Sequence, residues 1–149
     1  MNTITVPATI DQLDTVLAFL QEQLADVNCP DDTQMQVSIA AEEIFVNIAN
    51  YAYVPNSGDA TIRCQVDKEK DPVQITIEFL DSGVPYDPLA REDPDVTLSA
   101  EARDVGGLGI FMVKQMMDNV TYDYRDGKNI LTITKNLHSS KAGKNWSQG

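Results

Sequence analysis

Two hydrophobic periods alternate along this chain. Apolar residues recur every second position over residues 3–6, 60–66, 73–81, 120–125 and 130–135, which predicts five strands. They recur at helical spacing through Ile10, Leu13, Leu17, Leu20, Leu24 and Val27, through Val37, Ala41, Ile44, Ile48 and Ala52, and through Ile110, Val113, Met116 and Met117. These predict three helices, the second running over about residues 33–53. Thr9 with Gln12 matches a capping box for the first, and Asp31 and Asp32 supply an N-cap and favourable charge for the second. Pro7 suggests that the first strand is an edge or ends there.

The strand at 73–83, VQITIEFLDSG, breaks its own rule in one place. Val73, Ile75, Ile77 and Phe79 share a face, and Asp81 continues their parity, so the strand ends by aiming a carboxylate into its apolar layer. Such a group requires a proton, a fixed partner or a ligand donor, because its desolvation costs at least several kcal/mol. Two residues later Gly83 removes a side chain where something flat can lie beside the backbone. The second helix is also unusual, since Gln36, Ala40, Glu43, Asn47 and Asn50 form a second stripe that a simple core helix does not need.

Between these elements lie turns and one long break. Asp126-Gly127 is a strong hairpin signal between the last two strands, and residues 60–66 and 73–79 read as an antiparallel hairpin. From 84 to 105 the periodicity disappears into an acidic segment punctuated by Pro85, Pro88 and Pro94, of the length expected for a lid or binding loop. Gly106-Gly107-Leu108-Gly109 then opens the third helix, and a glycine-rich turn into a helix N-terminus suits anions because bare amides and the helix dipole point outward there. Residues 138–149 read as a frayed polar tail with Trp146 exposed, and His138, the sole histidine, is an unsuitable catalyst beside it.

Charge narrows the function classes. A net charge of −12 without any Lys or Arg cluster argues against nucleic-acid binding. The first cation is Arg63, so the acidic N-terminal half could steer a basic protein partner, although a solvated surface is the simpler explanation. Cys29 and Cys64 suggest neither zinc nor a disulfide framework. With no basic leader and no membrane-length apolar window, the cytoplasm is the expected location.

Four features therefore stand in order: Glu43 and Asn47 one helical turn apart, Asp81 with Gly83 at a strand end, a lid, and Gly107-x-Gly109 at a helix start. In this order they resemble the GHKL ATPases, the superfamily of gyrase, histidine kinases and MutL, and within it the small anti-sigma-factor serine kinases. EEIFVNIANYAY is similar to the N box, DSGVPYDP to the first glycine box and GGLGIFMVKQMMD to the second. The resemblance spans about residues 3–137. It implies one ATP-binding domain at 1–137, with the lid at 84–105, in the Bergerat fold: an α/β (α+β) two-layer sandwich whose mixed, mainly antiparallel sheet is covered by helices.

The resemblance also implies roles. Asp81 would accept the adenine amino group beside Gly83, Asn47 would hold Mg²⁺ between the phosphates, and Glu43 would be the general base. Gly107, Leu108 and Gly109 would bring backbone amides to the phosphates of ATP. The implied activity is that of a regulatory serine kinase that phosphorylates an anti-sigma antagonist and sequesters a sigma factor, with homodimerisation common among relatives. A nucleotide-binding module without phosphotransfer and a stand-alone histidine-kinase-type ATPase domain are the alternatives. Tyr51 stands where many of these kinases carry His, and Asp104-Val105 where they carry a basic residue; Arg103 and Lys114 are the candidate cations for the γ-phosphate.

Overall fold

A computed structural model of the chain describes residues 1–90 and 107–138. Strand β1 (Asn2–Pro7) leads through a 3-10 turn (Ile10–Gln12) into helix α1 (Leu13–Leu24). Helix α2 (Asp31–Asn47) follows, continued by one π-helical segment (Ile48–Ala52), and then strands β2 (Asp59–Asp67) and β3 (Val73–Asp81). A 3-10 turn (Pro88–Ala90), helix α3 (Gly107–Met116) and strands β4 (Asn119–Arg125) and β5 (Lys128–His138) complete the described chain. The sheet order is β1-β2-β3-β5-β4, and every pairing is antiparallel. The fold is α+β, a five-stranded antiparallel sheet with three helices, in line with the expected class.

The periodicities decide which surfaces meet. Val73, Ile75, Ile77 and Phe79 of β3 are buried with Ile62 and Cys64 of β2 and Leu131 and Ile133 of β5, and they join one core with Val16, Leu20, Val37, Ile44, Phe45 and Val113 of the helices. The opposite residues of β2 and β3 face outward, where Arg63 and Glu78, paired across the strands, form an ion pair at 2.8 Å. Asp126 and Gly127 take the left-handed φ values (55° and 76°) that the tight β4–β5 turn demands. Pro7 ends edge strand β1, where its missing N–H removes no ladder bond to a further strand.

Several local readings are corrected. No capping box forms at Thr9: its hydroxyl donates to the Asp11 carboxylate, a 3-10 turn intervenes, and Ile10 stays exposed. Asp31 and Asp32 lie within the first turn of α2 rather than capping it, with Asp32 Oδ1 accepting the Thr33 N–H at 2.9 Å. The helix expected over 33–53 is α-helical only to Asn47 and widens to π geometry beyond it. Ala40 of the polar stripe is fully buried and belongs to the core. The expected lid beyond Ala90, including Arg103 and Asp104-Val105, and the tail with Trp146 lie outside the described residues.

Candidate functional site

The end of β3, the end of α2 and the start of α3 converge on a cavity of about 410 Å³. Asn47, Tyr51, Asp81, Tyr86, Ile110 and Asn129 are among its lining residues. Period-two alternation carries Asp81 inward as expected, to 8% exposure. It is not left bare. Its Oδ1 accepts the Gly83 N–H at 2.9 Å and an Nδ2–H of Asn129 at 2.9 Å. No described residue donates to Oδ2, so this carboxylate has one oxygen clamped and one available to the cavity it lines.

The apolar alternation predicts a last strand over 130–135, which leaves Asn129 outside it. Strand β5 begins at Lys128, and Asn129 then shares the core-facing parity of Leu131 and Ile133, directly opposite Asp81 in the β3–β5 register. The signal was the same as for Asp81. A polar residue continued an apolar face one step too far, and only 7% of Asn129 is exposed.

Gly83 has a close neighbour that its sequence does not reveal. A Cβ there would lie 2.8 Å from the carbonyl carbon of Ala52 and closer still to its oxygen, so the missing side chain accommodates the end of the π segment. Tyr53 bolts the same junction, its hydroxyl accepting the Ser82 N–H and donating to the Asp59 carbonyl, both at 2.6 Å. Gly83→Ala forces backbone apart from backbone, at a cost of about 1–3 kcal/mol for overpacking. Thermal denaturation should show Tm lowered by roughly 3–10 °C; a variant as stable as the native chain would show that these two segments part freely.

The N-box residues divide between two tasks. Asn47 lines the cavity, whereas the half-buried Glu43, one turn earlier, lies against α3: a Cβ at Gly109 would stand 2.6 Å from Glu43 Oε2. Gly109 thus lets a carboxylate approach the first turn of α3. Gly107 and Leu108 form the N-terminus of that helix, where unpaired amides and the dipole favour anions. Lys114 is in the last turn of α3, about 10 Å along the axis from Gly107, which counts against it as a phosphate cation. Tyr51 lines the cavity and is largely exposed.

Chemically, the cavity offers one carboxylate oxygen to an N–H donor and apolar walls from Ile44, Ile48, Ile110 and Leu131 to a flat ring. Two carboxamides, those of Asn47 and Asn129, line the cavity, and Asn129 is engaged by Asp81 and its neighbours. Among the described residues no three His, Cys, Asp or Glu groups gather as a metal site. No described helix is long and apolar enough to cross a membrane.

Comparison with known proteins places the chain in a family. The model of the histidine kinase-like ATPase domain matches residues 6–135. The serine/threonine-protein kinase BtrW of Bordetella bronchiseptica is 28% identical over 66% of this chain and 67% of its own. The serine-protein kinase RsbW of Listeria monocytogenes is 26% identical over 73% and 69%, and the anti-sigma F factor of Clostridium acetobutylicum 26% identical over 81% and 79%. The chain therefore belongs to the histidine kinase-like ATPase domain family, among its GHKL-type anti-sigma factor and serine-protein kinase relatives, and that membership implies ATP binding.

Proposed function

We propose that this chain is a regulatory kinase that binds ATP with Mg²⁺ and transfers the γ-phosphate to a serine of an anti-sigma antagonist, sequestering a sigma factor according to the antagonist's phosphorylation state. The observation that carries the reading is the half-clamped carboxylate of Asp81 in the wall of a cavity that also holds Asn47. An exocyclic amine of adenine is the donor that suits the remaining oxygen, and the apolar walls suit the ring.

Asn47 would hold Mg²⁺ together with the phosphates, and the ion, when bound, supplies charge neutralisation on the transferring group. The chain's own residues do the rest. Glu43 accepts the proton of the serine hydroxyl as its oxygen forms the new bond to the γ-phosphorus, the bond from that phosphorus to the bridging oxygen breaks, and ADP leaves with the electron pair. Amides at Gly107, Leu108 and Gly109 stabilise the phosphate oxygens at the N-terminus of α3. The names of the relatives support the serine acceptor and the anti-sigma partners.

The test uses γ-labelled ATP, Mg²⁺ and small antagonist domains from the same genome. Label should pass to an antagonist as an acid-stable serine phosphate. Acid-labile label would instead indicate a histidine acceptor, and the absence of transfer to any antagonist would leave a nucleotide-binding module.

A further inference from the structure

We propose that Asn129 is a positioning residue that ties the base acceptor Asp81 to the cavity wall of Val84, Pro85 and Tyr86, so that filling the base site immobilises that wall. The inference rests on the reading that Asp81 accepts a purine amine. Its ground is the bonding of one buried carboxamide. The Nδ2 group of Asn129 donates to Asp81 Oδ1 and to the Val84 carbonyl, each at 2.9 Å, with the Gly83 carbonyl at 3.4 Å. Its Oδ1 accepts the Tyr86 N–H at 3.0 Å and the Tyr122 hydroxyl.

This pattern fixes the amide's orientation, because the Tyr86 N–H requires an acceptor where the Val84 carbonyl requires a donor. A rotation of Asn129 therefore breaks its bonds to Asp81 and to the wall together. Conversely, a ligand that holds Asp81 in one rotamer holds Asn129, and through it the backbone of Val84 and Tyr86. Val84, Pro85 and Tyr86 all line the cavity, so the linked segment is one a bound ring would touch. A threonine or leucine at 129 could not supply both halves of this bonding, since neither carries a coplanar donor pair and acceptor.

Two substitutions separate this role from mere packing. Asn129→Leu keeps the size but leaves the Tyr86 N–H and the Val84 carbonyl without their partner. In the native chain, saturating Mg-ADP should slow amide hydrogen exchange at Tyr86. In Asn129→Leu that exchange should stay fast at saturation, and calorimetry should show Mg-ADP affinity reduced about tenfold or more.

Asn129→Asp serves even if the leucine variant does not fold. Its titratable neighbours are Asp81 from β3, Tyr122 and Tyr124 from β4, and Tyr86 and Asp87 from the wall segment. Burial raises the Tyr122 hydroxyl, the Tyr86 backbone opposes it, and Asp87, Asp81 and Tyr124 add to the rise in smaller measure, so it stays neutral. The introduced carboxyl would share a proton with Asp81, and like-charge repulsion raises the pKa of such a pair. Bonding to Asp81 is then present while the pair holds its shared proton and is lost when that proton leaves, so the variant's Mg-ADP affinity should fall as pH rises, in a step that requires the introduced carboxyl. A folded leucine variant whose Tyr86 exchange slows as in the native chain, or an aspartate variant with a flat profile, overturns the proposal. Failure of the native chain to bind Mg-ADP overturns the base-site reading first and this inference with it.

Discussion

Asp81→Asn should lower Mg-ATP affinity by about 10- to 150-fold, the equivalent of losing a hydrogen bond to a charged group worth roughly 1.5–3 kcal/mol. The clamp on this side chain makes the outcome more specific than loss of charge. Two donors, the Gly83 N–H and Asn129 Nδ2, converge at 2.9 Å on Oδ1. A carboxamide at position 81 must turn its oxygen toward them, because its NH₂ there would meet donors with a donor. The NH₂ is then left facing the cavity, where it opposes the amine of adenine and matches a carbonyl. Calorimetric titration should accordingly find that the variant loses preference for ATP over a 6-oxopurine nucleotide. Retention of native ATP affinity and selectivity in this variant would dismiss Asp81 as the base acceptor. Because both clamping bonds survive the substitution, its Tm should change little.

Glu43→Gln should reduce phosphotransfer by roughly 10²–10⁴-fold, the contribution of a positioned general base. Nucleotide affinity should remain within a few-fold of native. The two effects separate because Glu43 is not among the residues lining the cavity with Asn47 and Asp81; it lies against Gly109 in the first turn of α3. Gln keeps the shape that Gly109 accommodates while removing the proton acceptor. Measured with labelled ATP and an antagonist domain under single-turnover conditions, transfer that persists at the native rate would remove Glu43 from the chemistry. A chain that binds nucleotide without transfer has no such rate to lose, so the native activity must be established first.

The parity of β3 made the central feature legible from sequence. Side chains alternate strictly along a strand, so Asp81 could be placed on the buried face before any contact was known. Asn129 obeys the same parity in β5, but strand ends depend on pairing rather than on composition, so the alternation of 130–135 does not reveal that the strand starts at Lys128. Thr9 illustrates the opposite failure. Its spacing to Gln12 satisfied a local motif, yet a nearer acceptor, Asp11, took the hydroxyl.

Gly83 and Gly109 show why residue type alone cannot assign a role. From sequence, Gly83 leaves room for a flat ring and Gly109 brings a backbone amide to the phosphates. In the folded chain the space at Gly83 is taken by the Ala52 carbonyl and that at Gly109 by the Glu43 carboxylate, contacts between segments about 30 and 66 positions apart in sequence. The widening of α2 into a π turn at Ile48–Ala52, which brings Ala52 to Gly83, has no periodic signature either.

Periodicity and spacing by themselves determined the five strands, the three helices, the inward carboxylate and the family resemblance, because each is a property of consecutive residues. Tertiary structure alone decided how that carboxylate is held, which of its oxygens is left for a ligand, and what the glycines make room for. Those depend on partners brought together from distant positions by register and helix packing, and neither propensity nor period records such distances.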